Sequence, residues 1–410
     1  MSIMVPPQIT DAHLLLRTEV RQVARKEIQP RVEQLEATGT HTDRALPAMM
    51  GARGWFGILL GTEHGGMGAG HVARCILLDE LSYSSGAAAA ILQASLIPSL
   101  AIDYAGSQSQ QHYWLPKVAS GAVYPTIAVT EPEHGGNLLE IGTTATRTSS
   151  GSWVIDGTKC LIGNSGIAHL YVVIARTDEG DSRDARCLSA FLMESDRAGV
   201  IVEQPKMVGM HGFTAGTVHL DQVQVPDGNL LGAMGEGMRV AHVASIVCGR
   251  LNFAAMAVGM IRRVLDTTRE FLSARPRYGT RLADQPIVRY HLGEMESLLV
   301  TAQSVTQTAA QKLDTGEGCD EHLFNAKLVA TRCAREAVAI AVSLHGGHAI
   351  LADTVLDRIR RDVSFLEAPA GPDDIQIDRL GKAVVGRHPI QWSTEYARRP
   401  ARPDTVAATA

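Results

Sequence analysis

Apolar positions in the first third of the chain recur with a helical period. Thr10-Asp11 offers an N-cap, and Leu16, Val20, Val23 and Ile28 follow at spacings that stack on one helix face. Pro30 is expected to kink or end that helix, because it lacks an N–H and crowds the preceding turn. From Ile76 to about residue 120, Ala- and Leu-rich periodic segments continue the helical pattern. The most apolar run, AAAAILQASLIPSLAI, is interrupted by Gln93 and Pro98 and reads as too short to span a membrane. GTEHGGMGAG, Gly61 to Gly70, follows no clear strand and misses dinucleotide-loop spacing, so it reads as a turn between helices.

Near Gly121 the period changes. Segments around 124–130, 143–148, 153–165, 170–177, 188–193 and 217–225 are short and mostly rich in β-branched or aromatic residues. Turn pairs Asp156-Gly157 and Asp227-Gly228 fall within this region. After Gly237 helical periodicity returns in three stretches, about 238–275, 284–313 and 321–351, lengths that suit a helix bundle. The pattern predicts an α+β chain. Its parts are a helical domain over 1–121, a β domain over 122–236, a helix bundle over 237–395 and a disordered tail over 396–410.

Composition narrows the function classes. The 410 residues are 45% hydrophobic and 20% charged with a net charge of -5, which suits neither a nucleic-acid footprint nor a polybasic membrane patch. Six scattered cysteines form no CxxC, and no basic-then-apolar leader opens the sequence. The expectation is reduced thiols, a cytoplasmic location and no metal site.

Candidate chemistry lies in motifs at fixed distances. TEPEHGGN (Thr130 to Asn137) precedes WVIDGTKCLIGNS (Trp153 to Ser165), then LDQVQVPDGNLLG, RPRYG (Arg275 to Gly279), LHGGH and RRD. Together, over roughly residues 10 to 390, they resemble the acyl-CoA dehydrogenase family of flavoenzymes. The resemblance implies that family's fold, an N-terminal helical domain, a central β domain and a C-terminal four-helix-bundle-like domain, assembled as a homodimer or homotetramer. It also implies FAD, an acyl-CoA or acyl-carrier-protein substrate, and an electron-transfer flavoprotein or oxygen as acceptor.

Carried over residue by residue, Val129 and Thr130 face the flavin pyrimidine. Gly136 stands where a serine meets phosphates. Leu161 replaces the tryptophan that covers the flavin edge, and Gly163 replaces the threonine that bonds flavin N5. Arg275 and Tyr278 match RxxFG, whose arginine reaches a neighbouring subunit's pyrophosphate. Ser343, Gly346 and Gly347 match QxxGG, with the glutamine lost. Asp374 is placed among the cofactor contacts, although Asp373 and Asp374 also stand where a helix begins. His134, in the TEP loop, and Arg250 are candidate substrate residues. For His134, and for His345 before the Gly-Gly turn, a structural histidine is the favoured reading over an acid or base, whereas a buried ion pair accounts for Arg250 equally well.

The catalytic base is where the pattern breaks. Fifteen positions separate Gly347 from Asp362, as in the family. Continuing without a gap puts Ala370 at the usual glutamate and Pro372 at the neighbouring threonine. The alternative site, just before an arginine on the first C-terminal helix, is Gly249. Neither residue can take a proton, and losing a positioned base costs about 10²- to 10⁴-fold in rate. Glu367, in FLEAPAG, is the candidate substitute. Three readings follow: acyl-thioester oxidation in a specialised biosynthetic pathway; base-free flavin chemistry (monooxygenation, decarboxylation-coupled oxidation or elimination); or an inactive subunit of a hetero-oligomer.

Overall fold

The computed structural model describes residues 9–177, 184–388 and 390–398. Helix α1 (Asp11–Val23) starts at a Thr10–His13 capping box and runs through a π turn, Ala24–Ile28, into α2 (Gln29–Thr38). Pro30 therefore neither ends nor opens this helix. The wider π turn just before it takes up the missing N–H, and Gly39, at φ +60°, closes α2. Helices α3 (Ala45–Gly51), α4 (Gly70–Ser84), α5 (Gly86–Ala105) and α6 (Gln108–Ala119) complete the N-terminal part. The Gly61–Gly70 segment is a turn between helices, with one short helical turn at Thr62–His64. Gln93 and Pro98 do not break α5, which is one buried helix of 20 residues. By length and composition, Gly86–Ala105 and Gly237–Ser273 could each cross a membrane, but both are packed inside the protein as core helices.

The central part is one sheet of β1 (Pro125–Ala128), β2 (Thr144–Arg147), β3 (Trp153–Gly163), β4 (Leu170–Arg176), β5 (Leu188–Glu194), β6 (Val200–Glu203), β7 (Ala215–Val225) and β8 (Leu230–Leu231). The path is β6-β7-β3-β2-β4-β5-β8, with β1 parallel to β4 through Pro125–Leu170 to Ala128–Val173. β6 and the two-residue β8 were not among the expected strands; β6 is half exposed, so its sequence lacks a buried stripe. Period-two alternation splits β4 between two cores. Leu170, Val172 and Ile174 join the helical core, whereas Tyr171, Val173 and Ala175 pack with Trp153 and Phe191 on the other face.

The C-terminal part opens with α7 (Gly237–Val243), a π turn over Ala244–Gly249 and α8 (Arg250–Ser273). A hairpin, β9 (Pro276–Arg277) and β10 (Thr280–Arg281), leads to α9 (Pro286–Asp314) and α10 (Asp320–His345). Then come α11 (Val355–Ser364), α12 (Asp373–Val384) and α13 (Trp392–Ala397). Helix α10 stops at His345 rather than near 351, because Gly346 takes φ +56°. Of the tail expected over 396–410, Tyr396 and Ala397 instead close α13 with Tyr396 buried, and 399–410 lie outside the described residues.

Candidate active site

The first group of candidate residues sits where β1 runs into the Thr130 loop. That loop is tied to the sheet by a buried ion pair. Lys159, wholly buried on β3, donates to Glu131 Oε1 at 2.8 Å and to the Val129 carbonyl at 3.0 Å. The Glu131 carboxylate also accepts from the Gly142 and Thr143 backbone and from the Thr143 hydroxyl. Burial pushes the Lys159 ammonium down to about 8 against the pull of Glu131, while Lys159 holds Glu131 below the usual carboxylate range against its own burial. Neither Glu131 nor Lys159 was among the expected site residues, because nothing in their spacing along the chain signals that they pair.

Cys160 N–H bonds the Thr130 carbonyl at 2.9 Å, which sets the loop against β3. Burial raises the Cys160 thiol, consistent with a packing residue. The next residue, Leu161, lies at a bulge between β3 and β7 with φ +55° and is 70% exposed. An apolar side chain held outward in left-handed backbone makes a ledge beside Thr130. Gly163 is glycine for a local reason: a Cβ there would lie 3.0 Å from the Phe213 ring and 3.3 Å from Ala94. Phe213 in turn packs edge-on against Phe365. Gly136 has open space around it, and His134 turns toward Glu140 at 3.7 Å, on the outer side of the loop.

A second group gathers at the C-terminal ends of α8 and α10. The Arg275 guanidinium lies 4.1 Å over Phe271, whose ring stacks on His345 at 4.0 Å and 14°. His345 is buried with Nε2 unpartnered, and burial with the nearby His348 and Arg275 lowers its affinity for a proton. Tyr278, at φ +51°, is 93% exposed on the β9–β10 hairpin. Ser343 closes α10 through a bond from the Gly346 N–H, and Gly346 and Gly347 have open space for a Cβ.

The third group is the base region. A Cβ built on Gly249 would lie 3.3 Å from the Ala370 methyl, 3.4 Å from Ile97 and 3.8 Å from Ser245 Oγ. The two usual base positions therefore face each other, and neither carries a carboxylate. Ala370 is itself left-handed, at φ +56°. Its loop is clamped: the buried Lys327 donates to the Glu367 and Gly371 carbonyls, and Gln376 to those of Ala370 and Gly371.

Glu367, the candidate substitute base, has another partner. Its side chain is half exposed and paired with Arg335 at 2.7 Å, so only its carbonyl faces inward. Asp373 pairs with Arg332 and Arg335 at the start of α12. Asp374 is exposed there, bonding the Ile375 N–H, which is a helix-start role. The ion pair offered for Arg250 is not formed either. Its hydrogen-bond partners are Gln376 and Ser245.

The three groups fit a flavin dinucleotide. Leu161 and the braced Thr130 loop offer an apolar ledge with backbone polar edges. Arg275 and the orphaned His345 nitrogen offer a site suited to phosphate. Among the described residues no group of His, Cys, Asp and Glu is placed to hold a metal ion.

Family models for the N-terminal, middle and C-terminal domains of acyl-CoA dehydrogenases match residues 10–122, 126–223 and 235–385. The chain belongs to the acyl-CoA dehydrogenase family, a family of FAD-dependent oxidoreductases. An acyl-CoA dehydrogenase of Bacillus subtilis (strain 168) is 29% identical over 380 residues, 92% of this chain and 99% of that one. The butyryl-CoA dehydrogenase of Megasphaera elsdenii superposes with TM-score 0.88 at 24% identity, covering 94% of this chain and 100% of the other. An acyl-CoA dehydrogenase from Bacillus anthracis, solved with FAD, gives TM-score 0.85 at 24% identity over 94% of this chain and 69% of that one.

Proposed function

We propose that the protein is an FAD-dependent oxidoreductase that acts on an acyl thioester, carried on CoA or on a carrier protein, without a carboxylate base of its own. One observation carries this reading. Gly249 and Ala370 meet at 3.3 Å, measured from a Cβ built on Gly249, and Glu367 turns outward to Arg335. FAD, when bound, supplies the two-electron acceptor. Val129, Thr130 and Leu161 hold its ring, and Gly136 leaves room for phosphate. Arg275, Tyr278, Ser343, Gly346 and Gly347 serve the dinucleotide end, from a neighbouring subunit of a homodimer or homotetramer.

Without an enzyme carboxylate, ordinary removal of an α-proton is slowed by about 10²- to 10⁴-fold. Monooxygenation, decarboxylation-coupled oxidation or elimination then takes its place, in a specialised biosynthetic step. The test uses purified protein, yellow if FAD is bound, titrated without oxygen with acyl thioesters of several lengths, with product masses and oxygen uptake recorded. Bleaching of the flavin supports the thioester reading. Loss of two hydrogens alone, at an ordinary dehydrogenase rate, would sink the base-free part. A colourless protein that no thioester changes would sink the whole.

A further inference from the structure

Among the described residues, Arg250 is a buried cation without a counter-ion of its own. The residue is 4% exposed, and its bonds go to Gln376 Oε1 at 2.9 Å and Ser245 Oγ at 3.4 Å, both neutral groups. Asp320 attracts it from further off, but that carboxylate is already engaged by the Trp392 and Ser393 backbone, the Ser393 hydroxyl and His388. Other cations surround Arg250. Arg379 lies over the same Phe324 ring, 5.7 Å from its centre against 5.1 Å for Arg250. The Lys327 ammonium, hydrogen-bonded to carbonyls, is depressed by burial; the Asp373 carboxylate pulls it back and Arg250 pushes it further down. Burial, followed by Arg379, pushes the Arg250 guanidinium down to about 9. His242, beside Arg379, is held neutral down to about 3 by burial and by both guanidiniums, so it offers no negative charge. The nearby carboxylates are already engaged: Glu367, half exposed, pairs with Arg335, and the mostly buried Asp373 pairs with Arg332 and Arg335.

Buried charges in folded proteins are paired, because an isolated ion loses its hydration without return. Here the unpaired guanidinium borders the place where two side chains are missing. Ser245 Oγ lies 3.4 Å from Arg250 Nη1 and 3.8 Å from a Cβ built on Gly249, which links the cation to the Gly249–Ala370 contact.

We propose that the absent anion is the ligand's own: the acyl group carries a carboxylate that docks on Arg250 and the Ser245 hydroxyl, beside Gly249 and Ala370. The substrate class is then a carboxyacyl thioester, the half-thioester of a dicarboxylic acid. This rests on the acyl-thioester reading above and names the acyl end that the reading left open.

The test compares binding, not turnover. The FAD-loaded protein is titrated with malonyl-, succinyl- and glutaryl-CoA against propionyl-, butyryl- and valeryl-CoA, which match them in carbon number, by flavin spectral change and thermal shift. At least one carboxylated ligand should bind about ten- to a hundredfold tighter than its neutral counterpart, the range of a charge-assisted bond. Arg250→Gln should erase that preference and Arg250→Lys should keep part of it. Ala370→Glu sets a protein carboxylate beside the cation and should also erase the preference while neutral thioesters still bind. The residue at 370 is non-glycine in either case, so this variant adds no new backbone strain and carries the test if Arg250→Gln does not fold. Equal binding of neutral and carboxylated ligands, or a preference that survives Ala370→Glu, overturns the inference and leaves the thioester reading standing. No binding of any thioester overturns both.

Discussion

Two loops of this protein hang on buried lysines, and the difference between them is instructive. On the flavin side, Lys159 meets Glu131, so a full ion pair is closed inside the β domain and completed by four further hydrogen bonds. On the base side, the Lys327 hydrogen bonds go to the Glu367 and Gly371 carbonyls, and its charged neighbours are Asp373, itself held by Arg332 and Arg335, and the Arg250 cation. Burial pushes both ammonium groups down to about 8. The first loop is therefore electrically complete as folded. The second keeps its shape without a direct ion pair and stands beside the unpaired Arg250, which a binding region can use and a structural brace would avoid.

The contrast can be broken by mutation. Lys159→Met strands the buried Glu131 carboxylate and should cost about 3–5 kcal/mol in urea unfolding. Lys327→Met strands two carbonyls while Asp373 keeps its pairs with Arg332 and Arg335, and should cost about 1–3 kcal/mol. Equal losses would erase the distinction. Gly163→Thr should cost about 1–3 kcal/mol by overpacking against Phe213 and Ala94. Combined with Phe213→Ser, which carries its own cavity cost, the total loss should fall short of the sum of the two single losses, and strict additivity in a double-mutant cycle would argue that the two do not touch.

Alkaline pH sharpens the comparison more gently. The folded Lys327 titrates near 8 and its unfolded counterpart at 10.5, so between these values the unfolded chain holds more protons and stability rises with pH. The wild-type curve minus that of Lys327→Met should show this rise; a flat or falling difference contradicts it. The smallest effect is expected at Ala370, whose φ of +56° favours glycine. Ala370→Gly should stabilise by up to about 1 kcal/mol, measured as a shift in urea midpoint.

Long periodic elements were legible before any coordinates. The C-terminal stretches begin and end within a few residues of the run from α7 through α8, of α9 and of α10, except that α10 yields to Gly346. Runs were misread where a local rule met a tertiary remedy. Pro30 is absorbed by a π turn, and Pro98 lies inside a helix buried on every side, where packing outweighs one lost bond. At the site, Gly163 looked like the loss of a hydroxyl, but the structure adds that Phe213 fills the space. Glu367 looked available because sequence distance cannot say which way a loop carboxylate turns; its partner Arg335 is on another helix.

The residue pattern alone determined the order helix, sheet, helix, because periods of 3.6 and two are local properties of a chain that must bury one face. It also determined that Gly249 and Ala370 bring no carboxylate, because that is a matter of identity. Only the tertiary structure decided that these two residues face each other, that Lys159 is neutralised and that Arg250 is not. Charge balance in a protein interior depends on which distant segments are brought within a few ångströms, and no spacing along the chain encodes that by itself.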